Sequence, residues 1–436
     1  RSLGCRTVGT GEVAVVSIDV RTRFDGDVEE RGGAWLLDGL DAQLAETGDL
    51  AARGVAVLGL GTLGLRVADV VAHLTVERGR LVVREGDPGD GGPFAVLDPA
   101  ACDELFQDVT SAFGLVMAGR VAMERGTTDE LIAWQPVVRT VIDGVPVHEP
   151  GLVTFRDVDG GDLDLRRSFR LEDPRDEIGH FLAQAGFLHL EGVFSEAEMA
   201  AVSADLDRSL AAAVQDDGAS WWARNEEGWA PSRVLGFNRH SETLRELLTS
   251  ERFRAVGRFT DDEMVERPHL TGDSAEGLHK RVGIVEGISD VSWHVDCSLG
   301  GHSRQCRGIV VGVSVTGADE RSGELGVVAG SHRANVQYVG IRPGLDLPRL
   351  PLPTRTGDVT VHCACTLHMS RPPVDRERRV VYTGFGLAPR PGDRAEVLTP
   401  EEIRARRAVL SDQSGRLQRL DDFGVDHEQF ALDAPT

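Results

Sequence analysis

His294 and Asp296 stand two residues apart, and His368 and Ser370 repeat that spacing some seventy residues later. On a strand, residues i and i+2 project to the same face, so the first pair can meet one ion. Two imidazoles and one carboxylate form a ligand face that suits Fe(II) and leaves three adjacent positions for a co-substrate and dioxygen. Gly357-Asp358 reads as a tight turn feeding a strand from Val359 to Cys363, after which a short loop can swing His368 back toward the pair. Beyond it lies Arg379, the side-chain type that pairs bidentately with a carboxylate. Arg379 is expected to anchor the far carboxylate of a dicarboxylic co-substrate, with Ser370 adding a hydrogen bond. The neighbouring Arg378 is the alternative, since adjacent strand residues face opposite ways and only one can serve.

Other residues compete for these roles. His332, His362 and His302 are rival third ligands; Cys363 and Cys365 read as small interior residues, and Cys297 and Cys306 lack zinc-pair spacing. Lys280 is the single lysine among 47 basic residues, which marks a position where a compact ammonium is needed, and it is expected to touch the co-substrate or an anionic substrate. Trp221, Trp222, Trp229 and Phe237, with Arg233 and Arg239, are candidates for a substrate wall.

From about residue 175 to 390 the chain resembles the phytanoyl-CoA dioxygenase family of Fe(II)/2-oxoglutarate oxygenases. The carriers are Gly186-Phe187, Trp293-His294-Val295-Asp296, Ser322-Gly323-Glu324-Leu325, Gly330-Ser331-His332, Gly357-Asp358, His368-x-Ser370 and Arg379. Ala329 stands where the family usually places proline. The resemblance implies a double-stranded β-helix, iron held by His294, Asp296 and His368, and 2-oxoglutarate chelating that iron with its distal carboxylate on Arg379 and Ser370. Because Asp296 fills the carboxylate position, a halide has no vacant ligand site, and hydroxylation is expected over halogenation.

The elements that must position these residues begin near Ile178, Phe181 and Leu182, followed by the helix-start signal Ser195-Glu196-Ala197-Glu198. Short β-rich runs then recur at Arg281 to Val285, Ile309 to Val315, Leu325 to Val328, Val359 to His362 and Val380 to Phe385, the spacing of a sandwich or jelly roll.

The preceding part reads as α+β, with strand character at Val55 to Leu60, Ala72 to Val76, Arg80 to Val83 and Leu115 to Met123, and helices over Pro99 to Val109 and Asp129 to Ile142. Gly59-Leu60-Gly61-Thr62-Leu63-Gly64 matches a dinucleotide fingerprint, with Glu85 placed as a ribose-binding acid. The competing reading rests on Ala72 to Val83, Leu97-Asp98-Pro99 and Leu115 to Met123, which resemble the sterol-carrier-protein-2 family over roughly residues 50 to 145. That resemblance implies a sheet with helices over an apolar tunnel, and whether helix and sheet enclose a tunnel or a filled core stays open.

The 436 residues fit two domains, with Glu149-Pro150-Gly151 and the acidic connector after it as the boundary. The expected organisation is a sterol-carrier-like α+β domain at 1–150, a linker at 151–174, and a double-stranded β-helix (jelly-roll or cupin-like) oxygenase domain with flanking helices at 175–436. A net charge of -23 opposes a nucleic-acid partner. No apolar run spans a bilayer, no signal pattern opens at Arg1, and the six cysteines are scattered, so a cytoplasmic protein with reduced thiols is expected. The expected activity is hydroxylation of a hydrophobic small molecule with Fe(II), 2-oxoglutarate and O2. Desaturation, epimerisation, cyclisation and a non-catalytic binding or transfer protein are the alternatives.

Overall fold

The computed structural model describes residues 28–89, 91–215, 217–260, 264–266, 274–287, 291–299, 308–387 and 432–433. The first five residues, His302 and Cys306 lie outside the described residues.

The first domain opens with a long helix, α1 (Trp35–Leu58), that buries Leu36, Leu40, Leu44, Ala51 and Val55 at near-helical spacing. Here the structure corrects the reading of Val55 to Leu60 as a strand. A helical repeat that starts twenty residues earlier runs through Val55 and stops only at Gly59, whose φ of 65° is the left-handed C-terminal cap. Gly54 is required by close approach, because a Cβ there would lie 2.6 Å from Val147 Cγ2.

Five strands follow: β1 (Leu63–Val67), β2 (Val70–Glu77), β3 (Arg80–Glu85), β4 (Phe94–Leu97) and, after two short helices, β5 (Val121–Arg125). They form one sheet in the order β3-β2-β1-β4-β5, with β1 parallel to β4 and the other neighbours antiparallel. The glycine-rich fingerprint therefore sits between a helix C-terminus and a strand, the reverse of strand-then-helix. A pyrophosphate there would meet the negative end of the helix dipole, which removes the dinucleotide reading.

The intervening helices are α2 (Pro99–Leu105) and α3 (Ala112–Met117), each started by a capping side chain: Asp98 accepts from Ala101 N at 2.6 Å, and Ser111 from Gly114 N at 2.9 Å. That cap turns the first half of the expected Leu115 to Met123 strand into helix. The last expected helix is two, α4 (Thr128–Ala133) and α5 (Gln135–Asp143), broken at Trp134 ahead of Pro136. Leu36, Leu40, Leu65, Leu74, Leu105, Trp134 and Val137 belong to the continuous apolar core between these helices and the sheet.

The second domain begins with α6 (Arg175–Ala185), β6 (Phe187–Leu190) and α7 (Glu196–Ala212), the last opened by the Ser195/Glu198 capping box. A hairpin of β7 (Ser220–Asn225) and β8 (Gly228–Val234), absent from the sequence reading, precedes α8 (Glu242–Thr249), α9 (Glu251–Gly257) and β9 (Met264–Glu266). Then come β10 (Glu276–Lys280), β11 (Glu286–Gly287), β12 (Val291–His294), β13 (Gly308–Ser314), β14 (Leu325–Val328), β15 (Arg349–Leu352), β16 (Val359–Cys363), β17 (His368–Ser370) and β18 (Arg378–Leu387). The expected strand at Arg281 to Val285 is a turn through Gly283 at φ 71°, and β10 ends just before it.

Among the described residues, one sheet contains β10-β18-β13-β16 as neighbours and the other is β12-β17-β14-β15. The chain passes repeatedly between the two, which is the winding of a double-stranded β-helix. Ile309, Val311 and Val313 of β13 join Ile178, Phe181, Met199 and Leu206 of α6 and α7 in one core, so the intervening Val310 and Gly312 face the other way, toward the second sheet. Helices seal one face of this sheet and leave its inner face for chemistry.

The two domains are joined by a buried polar clamp. Asn335 Nδ2 lies 2.8 Å from Pro136 O, 3.1 Å from Thr140 Oγ1 and 3.2 Å from Val145 O, while its carbonyl accepts from His148 N at 2.9 Å. His148 Nε2 meets Asp346 Oδ1 at 2.7 Å, and Phe113, Met117 and Ile132 pack with Val339. Unmet buried acceptors cost about 1–3 kcal/mol. Asn335→Ala is expected to destabilise the chain by roughly that amount, read as a lower Tm in calorimetry, and an unchanged melt would contradict the clamp.

Candidate metal centre

β12 and β17 run antiparallel with His294 directly opposite His368, and the two rings lie 4.2 Å apart between centroids. Asp296 opens a single 3-10 turn immediately after β12. The Nε2 atoms of His294 and His368 lie 3.5 Å and 3.6 Å from the same oxygen, Asp296 Oδ1. These three residues offer donor atoms all within 4.8 Å of one another.

Backbone carbonyls set the tautomers. His294 Nδ1 is 2.7 Å from Ser292 O, and His368 Nδ1 is 2.9 Å from Thr366 O. A carbonyl only accepts, so each Nδ1 carries the proton and each Nε2 presents a lone pair. Burial and the neighbouring His362 push the His368 imidazole well below its ordinary value, keeping it neutral. Two ring lone pairs and a carboxylate oxygen aimed at one point fit a divalent cation; without one, three acceptors would oppose each other.

A second cluster sits on the same strand. Ser370, two residues after His368, takes the same face, and its hydroxyl accepts from Lys280 Nζ at 2.6 Å and from Arg378 Nη2 at 3.0 Å. Lys280 and Arg378 are cross-strand partners on β10 and β18, both buried, and Arg378 Nε has no partner among the described residues. Two buried cations converging on one hydroxyl suit an anion.

Arg379 does not join them. It pairs with His279 on the opposite face and turns to α7, where its guanidinium meets Ser203 Oγ at 2.6 Å and Asp207 Oδ1 at 2.7 Å. The structure thus places Arg378, not Arg379, beside Ser370 and Lys280, on the face opposite to the one expected. The loop between β17 and β18 hides the strand parity, and the register with Lys280 reveals it.

His332 lies in a 3-10 turn and meets Ala183 O at 3.0 Å, away from the cluster. His362 is buried against His368 and reaches Asp296 Oδ2 at 3.3 Å. Phe237 is core, and Trp221 lies under Arg233, 4.3 Å from ring centroid to guanidinium carbon.

Residues 182–380 match the family model for phytanoyl-CoA dioxygenase (PhyH). No curated protein matches the chain. Among solved structures, AviO1 from Streptomyces viridochromogenes is similar at 20% identity, with 50% of this chain and 98% of that one covered and a TM-score of 0.39. The alpha-ketoglutarate-dependent epimerase SnoN from nogalamycin biosynthesis is similar at 22% identity, with 52% and 92% covered and a TM-score of 0.40. EctD from S. alaskensis, solved with 2-oxoglutarate and 5-hydroxyectoine, is similar at 18% identity, with 56% and 86% covered and a TM-score of 0.41. The matched segment holds His294, Asp296, His368, Lys280 and Arg378, and the chain is an enzyme of the iron- and 2-oxoglutarate-dependent oxygenase kind.

Loss of one metal ligand should exceed the roughly 10–100-fold effect of losing an outer partner. His368→Ala is expected to weaken Fe(II) binding by more than about 100-fold in anaerobic equilibrium dialysis, with His332→Ala binding as wild type. Equal affinity in the two variants would contradict the ligand assignment.

Proposed function

We propose that this enzyme hydroxylates an unactivated C–H bond of a hydrophobic or natural-product small molecule. The balance is substrate–H plus 2-oxoglutarate plus O2, giving substrate–OH, succinate and CO2. The observation that carries this reading is the pairing of a three-acceptor metal cluster with a two-cation cradle on one strand, β17. His294, Asp296 and His368 would hold the iron, and the chemistry it would supply there is the activation of dioxygen that couples decarboxylation of 2-oxoglutarate to oxidation of the substrate.

The chain's own residues bind and orient. Arg378 and Lys280 would hold the distal carboxylate of 2-oxoglutarate, with Ser370 keeping both cations aimed at it. Arg371, whose carbonyl accepts from Lys280, is itself fixed by Glu324 at 3.0 Å, so the ammonium is positioned from behind. Gly323 permits that arrangement, since a Cβ there would lie 2.2 Å from Arg371 O.

A five-stranded sheet covered by helices is what the sterol-carrier-like resemblance implies for the first domain, and the hydrophobic substrate is inferred from that resemblance. No helix among the described residues is long and apolar enough to cross a membrane. Desaturation, epimerisation and ring closure would use the same metal and anchor, and product analysis separates them from hydroxylation.

Under air with Fe(II), wild-type protein is expected to convert 2-oxoglutarate to succinate. Arg378→Ala should lose this turnover by about 100-fold or more, the scale of a removed charge-assisted pair. Arg379→Ala should keep it, and the reverse ranking would contradict the cradle.

A further inference from the structure

The metal pocket contains a third imidazole that the ligand set does not use. His362 lies on β16, opposite Val310 of β13 and Phe187 of β6, and is 1% exposed. Its ring sits 4.2 Å from that of His368, and its Nε2 lies 3.3 Å from Asp296 Oδ2, the carboxylate oxygen turned away from the other two histidines. It stands outside the group of three whose donor atoms lie within 4.8 Å of one another.

The proton position follows from burial. His362 Nδ1 is buried with no hydrogen-bond partner among the described residues, in contrast to the Nδ1 atoms of His294 and His368, which are committed to carbonyls. Placing the proton on Nδ1 would bury an unmet donor and turn the Nε2 lone pair against a carboxylate lone pair. Placing it on Nε2 makes a charge-assisted hydrogen bond and leaves only an acceptor unmet, which costs less. His362 is therefore the opposite tautomer to the two ligands: it presents N–H where they present lone pairs.

We infer that His362 is a positioning residue that donates Nε2–H to Oδ2 of Asp296 and holds the carboxylate with Oδ1 alone toward the metal. This rests on the metal-site reading above. The requirement is one of coordination number: three protein ligands plus a chelating co-substrate and dioxygen fill six positions, so a carboxylate that rotated to bind through both oxygens would occupy a position the reaction needs. Packing does not fix that rotation, because the Asp296 side chain is 34% exposed on a single 3-10 turn. The hydrogen bond from His362, itself locked in a central strand, does.

The test uses the full chain and anaerobic Fe(II) titration. His362→Phe keeps the ring volume without the donor, and His362→Gln restores an N–H at a similar reach. His362→Phe is expected to weaken Fe(II) binding about 10–100-fold, with His362→Gln within about threefold of wild type. Phe binding iron as tightly as wild type, or Gln as weakly as Phe, would overturn the inference. The second readout is the number of coordinated imidazole nitrogens, counted by pulsed EPR on the wild-type Fe(II)–nitrosyl complex, and it stands even if a variant fails to fold. Two nitrogens support a positioning role, and three would make His362 a ligand and overturn it. If His294→Ala binds iron like wild type, the metal site itself fails, an outcome distinct from an undiminished His362→Phe.

Discussion

The register between β12 and β17 is the constraint on which the active region depends. It sets His294 opposite His368, and a slip of one residue would turn His368 and Ser370 outward together and bring Met369 to the pocket. Several contacts forbid that slip. Trp293, Leu367 and Met369 are buried in a cluster of their own behind the strands, and Leu367 is pinned through its N–H to Ser331 Oγ at 2.8 Å and through its carbonyl to Val328 N at 2.8 Å. Apolar packing on one face thus fixes which polar groups occupy the other.

Charge is divided along the same short strand. At His368 three acceptors converge and call for a cation; at Ser370, one pleat away, two buried cations converge and call for an anion. A co-substrate with metal-chelating oxygens at one end and a carboxylate at the other would present its charges in that order. The surroundings support this arrangement: Val295 N donates to Tyr338 O at 3.0 Å, and the Tyr338–Val339 segment, with α3 of the first domain, presses on the strand end and turn that carry His294 and Asp296. The clamp at Asn335 holds that segment from the first domain's side.

Much of the site was legible because alternation and spacing are local properties. His294, Asp296, His368, Ser370 and Lys280 are all read from the sequence and all brought to the inner face. That Arg378 and not Arg379 reaches Ser370 was not legible, because the irregular loop from Arg371 to Glu377 carries no periodicity from which the parity of β18 follows. His362 was legible only as a rival ligand, since its tautomer depends on which carbonyls lie near, a fact of three-dimensional packing. In the first domain, α1 was missed because Gly48 and Gly54 weaken its helical propensity while tertiary contact requires them, and the apolar run at its end mimics a strand. The capping signals at Ser195 and Asp98 were legible because they depend on residues within three positions.

The most direct test of the account is to titrate anaerobic, Fe(II)-loaded protein with 2-oxoglutarate and watch the visible spectrum. A metal-to-ligand charge-transfer band is expected to grow to saturation at one equivalent per chain if 2-oxoglutarate chelates iron that His294, Asp296 and His368 would hold. A protein that binds Fe(II) yet shows no band at saturating 2-oxoglutarate would contradict it.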